Sequence, residues 1–92
     1  MVNVHARAHG DDWLCDVIVD QSGRRTQHAV TVRRDDLERW ADGTEREEVQ
    51  SLVARSFDFL LEREPPSAIL ASFEISVIQR YFAEYDAAFR RR

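Results

Sequence analysis

Trp13-Leu14-Cys15-Asp16-Val17-Ile18-Val19-Asp20-Gln21-Ser22-Gly23-Arg24-Arg25-Thr26-Gln27-His28-Ala29-Val30-Thr31-Val32 is the stretch on which the fold turns. Apolar and polar residues alternate on both sides of Ser22-Gly23, the period of a strand with one buried face. A two-residue loop at Ser22-Gly23 sets Val19 opposite Thr26, Val17 opposite His28, Cys15 opposite Val30 and Trp13 opposite Val32, so one face of the hairpin is apolar. Working backward, a loop at Gly10-Asp11 sets Ala8 opposite Trp13, Ala6 opposite Cys15, Val4 opposite Val17 and Val2 opposite Val19. Two turns chosen independently extend the same face, which predicts a three-stranded antiparallel meander over about 2–9, 12–21 and 24–33. The opposite face carries Asn3, His5, Arg7, Leu14, Asp16, Ile18, Asp20, Arg25, Gln27 and Thr31, is mostly polar, and is expected to be wet.

Beyond the meander the period becomes helical. Asp35 with Glu38 reads as an N-cap that opens a short helix through Leu37, Trp40 and Ala41, ended by Gly43. Thr44 with Glu47 repeats the device as a capping box. Val49, Leu52, Val53, Ser56, Phe57, Leu60 and Leu61 then form one continuous stripe at helical spacing, the partner of the sheet. Pro65-Pro66 stops this helix, since proline donates no amide and pushes the residue before it out of helical geometry. A brief helical turn opened by Pro66 or Ser67 carries Ile69, Leu70 and Phe73. A last helix follows from about Glu74, its apolar seam Ile75, Ile78, Phe82, Tyr85 and Phe89 spaced as for packing along another helix. The expected fold is α+β over a single domain, 1–92, with the sheet in 1–34 and three to four helices from 35–92 packed on one face of it.

Composition narrows the function classes. At 92 residues there is room for one core, and 43% hydrophobic residues with three Gly and two Pro describe a chain that folds. The longest uncharged stretch, Pro65 to Phe73, is nine residues, where a membrane-spanning helix needs ~20. The first seven residues carry charge and no apolar run, so no export signal is expected, and the lone Cys15 has no partner for an internal disulfide. The expected location is the cytoplasm. All thirteen basic residues are Arg, and the −4 net charge is uneven: residues 35–64 hold ten acids against four Arg.

His5 and His9 point to the face opposite Cys15 and His28, so these four do not converge on a metal, and no cofactor is expected. The densest acids, Asp35-Asp36-Glu38 and Glu45-Glu47-Glu48, lie in first helical turns, where they favour the helix dipole. With no glycine-rich phosphate loop and no Gly-x-Ser-x-Gly, the expectation is a non-enzymatic protein. The aromatic residues exceed what a small sheet can cover. That surplus predicts a protein-binding or adaptor domain, homodimeric through Phe59, Ile78, Tyr81, Phe82, Tyr85 and Phe89. The alternative is a nucleic-acid-binding module that reads phosphates with Arg24, Arg25, Arg33, Arg34, Arg90, Arg91 and Arg92, against which stand Asp20 opposite Arg25 and Asp35-Asp36 after Arg34.

Ser56-Phe57-Asp58-Phe59-Leu60-Leu61-Glu62-Arg63-Glu64-Pro65, followed by Ile69-Leu70, Phe73, Val77-Ile78 and Tyr81-Phe82-Ala83-Glu84-Tyr85, resembles a family of small uncharacterised bacterial proteins, over about a third of the chain. That family tends to have proline where this chain has Ala83, a departure that would let the last helix continue through Phe89. The resemblance implies no activity. It points to Glu62, Arg63 and Glu64 beside the Pro65-Pro66 turn as the place for a shared ionic site.

Overall fold

The structure is a computed structural model and describes residues 1–90. The meander forms in the expected register. Strands β1 (Val2–His9), β2 (Asp12–Gln21) and β3 (Arg24–Val32) pair antiparallel, with Ala6 opposite Cys15, Cys15 opposite Val30 and Val19 opposite Thr26. Ser22 and Gly23 both take positive φ, 54° and 75°, which gives the β2–β3 turn the twist that matches its strands. Ala6, Cys15, Val17, Val19, Val30 and Val32 are buried on the inner face.

Helix α1 (Arg34–Trp40) and helix α2 (Arg46–Leu61) follow. Their caps differ from expectation. The cap residues are Arg33 and Glu45, not Asp35 and Thr44, and in each the backbone N–H donates to the carboxylate three residues on: Arg33 to Asp36 at 2.9 Å, Glu45 to Glu48 at 3.1 Å. The acid three residues into the helix satisfies the free amide, so the cap position is set by which acid can reach back. The α2 stripe is as expected: Val49, Leu52, Val53, Ser56, Phe57 and Leu60 are buried, and α2 lies over the inner face of the sheet near β1. At the free edge of β1 the Gln50 side chain accepts the Ala6 N–H at 3.0 Å, occupying a backbone donor that an edge strand otherwise leaves open.

The sheet is not purely antiparallel. A fourth strand, β4 (Ser72–Glu74), runs parallel to β3 with Val30 opposite Phe73, and its approach is set by the Ala29 N–H donating to the Ala71 carbonyl at 2.8 Å. The expected helical turn carrying Ile69, Leu70 and Phe73 shrinks to one 3₁₀ turn, Pro66–Ala68, before the chain extends into β4. Three residues are too short to show a period. Their strand geometry comes from the open edge of β3 that they satisfy.

The expected continuous last helix is broken. A 3₁₀ turn (Ile75–Val77) leads into α3 (Ile78–Tyr81), Phe82 is extended at φ −131° and ψ 93°, and α4 (Glu84–Phe89) resumes. The break folds the seam inward, so Ile75, Ile78 and Tyr85 join the same core as the sheet. The fold class is α+β, with a four-stranded mixed sheet and four α-helices among the described residues.

Asp36 is a carboxylate in that core, 4% exposed, and burial raises its pKa above the usual carboxylate range against the opposing pull of the Arg33 amide. A folded-state pKa above the unfolded one means the proton favours folding. The contribution is complete below the unfolded value of about 3.9 and is lost as pH rises through the folded value. Asp36→Asn keeps an acceptor and removes the buried charge. Its urea midpoint is expected above the parent's at neutral pH, with the gap closing toward about pH 4. A constant gap across that range would assign the effect to packing.

Candidate binding groove

Where α2 ends, Pro65 and Pro66 turn the chain back across the end of the helix, and the returning segment leaves a hollow of about 410 Å³. Its floor is Leu60, Ile69 and Ile78, all buried; Phe73, Val77 and Phe82 form half-buried walls. Leu70 and Tyr81 stand on the rim, 50% and 70% exposed. Ala68 and Glu64 complete it, and Glu64 is the one carboxylate in the lining.

His28 holds one wall in place. Its Nδ1 lies 2.8 Å from the Leu70 carbonyl, which can only accept, so Nδ1 carries the proton; Nε2 then accepts from the Thr26 hydroxyl at 2.9 Å. The ring also packs on Phe57 with centroids 5.2 Å apart. Sequence parity places His28 opposite Val17 on the apolar face; both ring nitrogens are satisfied there, the bond at Nδ1 reaching a loop 42 residues away.

The other end of the hollow is braced by Arg63. Its guanidinium lies 3.5 Å over the Phe59 ring, donates through Nη1 to the Phe59 carbonyl at 2.8 Å, and pairs through Nε with Glu84 at 3.2 Å. Glu62 pairs with Nη1 at 3.3 Å. The Glu84 carboxyl is held below its ordinary range, first by a backbone amide and then by Arg63. Of the suggested ionic triplet, then, Arg63 ties the end of α2 to the start of α4, Glu62 lies outside, and Glu64 faces the hollow.

The six residues expected at an interface, Phe59, Ile78, Tyr81, Phe82, Tyr85 and Phe89, divide. Phe59 and Tyr85 are 7% and 0% exposed, Ile78 is floor, and Phe89 stacks on Tyr85 at 4.3 Å. Tyr81 and Phe82 line the hollow. The Tyr85 hydroxyl lies 2.7 Å from Ser56 Oγ, whose own proton goes to the Leu52 carbonyl, so Tyr85 donates; burial pushes its pKa up. Burial, and then neighbouring Asp16, push the Cys15 thiol up to about 12, so it is protonated at neutral pH.

Sequence reasoning missed Leu60, Ile69, Leu70, Phe73 and Val77 as a joint surface. Helical periodicity was the wrong template for 66–74, although Ile69-Leu70 directly after a double proline is a signal that the chain turns there with apolar side chains to place.

The arginines do not gather. Arg24 and Arg25 sit at one end of β3 and Arg33 and Arg34 at the other, ~30 Å apart along an extended strand. Arg25 pairs with Asp20 at 2.9 Å, Arg33 with Glu74 at 2.7 Å, Arg34 with Glu38 at 3.8 Å and Arg90 with Asp86 at 2.6 Å. Arg91 and Arg92 lie outside the described residues. Among the described residues, no group of three or more His, Cys, Asp or Glu side chains is placed to hold a metal, and no helix is long and apolar enough to cross a membrane. Comparison with family models, curated proteins and solved structures gives no match for this chain.

Proposed function

We propose that this protein is a small non-enzymatic adaptor domain that binds other proteins through the groove beside α3. One observation carries the reading. Apart from Met1, the large apolar side chains left exposed among the described residues are Leu70 and Tyr81, and both stand on the rim of the same apolar hollow. Isolated exposed apolar residues are ordinary; two on one concavity with an apolar floor make a surface that gains from burial, at about 25 cal/mol per Å². The titratable groups of the lining are Glu64 and Tyr81, a thin set for proton transfer, which needs two groups driven apart in pKa.

A homodimer, expected from the seam of the last helix, would compete for the same groove: with Phe59, Ile78 and Tyr85 used inside the subunit, it would have to rest on Leu70, Tyr81 and Phe82. A stable two-fold pair buries ~800 Å² per partner. Light scattering over a range of concentrations tests it, a mass fixed at one chain being the outcome that removes it.

The binding reading predicts that the double variant Leu70→Ser, Tyr81→Ser keeps the parent's unfolding free energy within ~1 kcal/mol, since both side chains are exposed. It also predicts that peptides captured by the parent from a random display library are released by the variant. Peptides that bind both proteins equally would place the binding surface elsewhere and overturn the assignment.

A further inference from the structure

Resting on the groove reading, we infer that the occupant is a segment of a different protein in which an apolar side chain is flanked by lysine or arginine. Helix α2 sets the charge at one end of the groove. Its sixteen residues end at Leu61, and Leu60 and Glu64 both line the groove, so the negative end of the helix dipole faces that end of the hollow. The last turn of α2 has no basic residue; Arg63, just beyond it, is the cation on this end, donating to the Phe59 carbonyl, and the chain sets Glu62 and Glu64 on either side of it.

Arg63 is held by the Phe59 carbonyl, Glu62 and Glu84. Arg80, on α3, forms no ion pair among the described residues; Glu74 pairs with Arg33, and no basic residue belongs to the lining of the groove. Among the described residues no side chain ion-pairs with Glu64. An apolar groove with an uncompensated carboxylate and a helix carboxyl end at one side complements an apolar side chain with a cation next to it. A second copy fits less well. Two copies meeting groove to groove would bring two Glu64 carboxylates into one interface, with no basic residue in either lining to offset them. A phosphate backbone is repelled for the same reason.

The test uses the intact chain and peptides taken from a random display library, synthesised with a fluorophore and titrated by anisotropy. Peptides displaced by Leu70→Ser, Tyr81→Ser are expected to be enriched in Lys or Arg beside an apolar residue. Their affinity is expected to fall about three- to tenfold with Glu64→Gln, and further between about 50 and 500 mM salt. Glu64→Gln is a near-isosteric change at a half-buried rim position, and an unchanged thermal midpoint shows that it acts on binding. Groove-directed peptides with no basic excess, or affinities indifferent to Glu64→Gln, would overturn this inference and leave the groove reading standing. If no peptide is sensitive to the Leu70/Tyr81 variant, the groove reading itself fails. A dimer that dissociates when Leu70 and Tyr81 are changed would identify the second copy as the occupant and overturn the inference in its other part.

Discussion

Tyr85→Ala is expected to cost ~3–5 kcal/mol of unfolding free energy, as removal of a fully buried aromatic ring generally does. For a chain of 92 residues that is a large share of the ~5–14 kcal/mol available. Tyr85 is 0% exposed. It meets Trp40 edge-on at 5.1 Å and Phe59 at 5.3 Å, and stacks with Phe89 at 4.3 Å, so its loss takes a ring contact from each of three residues. Tyr85→Phe removes only the bond to Ser56, and is expected to cost ~1 kcal/mol, because Ser56 keeps its own donor bond to Leu52. Tyr81→Ala, four residues earlier and 70% exposed, is expected to stay within ~0.5 kcal/mol of the parent. Urea unfolding of the three variants measures the series. Comparable losses for Tyr81 and Tyr85 would mean that the chain does not break at Phe82 as described.

His28→Ala is the second large effect, ~2–4 kcal/mol, combining the lost ring contact with Phe57 and a Leu70 carbonyl left without its donor. Its local consequence is more telling than its size. The Leu70 carbonyl bond precedes the first β3–β4 backbone bond, from Ala29 to Ala71, by one residue, so releasing it is expected to loosen β4 and the groove wall together. Hydrogen exchange at Ala29 should accelerate in His28→Ala more than exchange at Val17, whose strand is flanked on both sides. His28→Gln offers a side-chain N–H in place of Nδ1 and is expected to recover part of the loss. Uniform acceleration at both amides would reduce His28 to an ordinary core residue.

These two residues also show where the sequence was legible. Parity alone places His28 on the inner face, because a strand's period of two is fixed by backbone geometry; that its ring reaches Leu70 depends on a loop 42 residues on. Spacing alone puts Tyr85 on an apolar seam, and by periodicity that seam is straight. The turn at Phe82 bends it, and a seam bent over Phe59 becomes core. Glu64 and Tyr81 belong to separate sequence signals, and only the reversal of the chain at Pro65-Pro66 brings both into the lining of one hollow.

The amino-acid order by itself determined the meander, its register, its buried face and the long helix that covers it. Each follows from a local period and a local turn, and local geometry needs no knowledge of distant residues. The parallel strand β4, the broken last helix and the groove between them were decided by tertiary contact. Segments of three to six residues carry too little periodicity to specify themselves, and take the shape that satisfies the sheet edge and the apolar surface they meet.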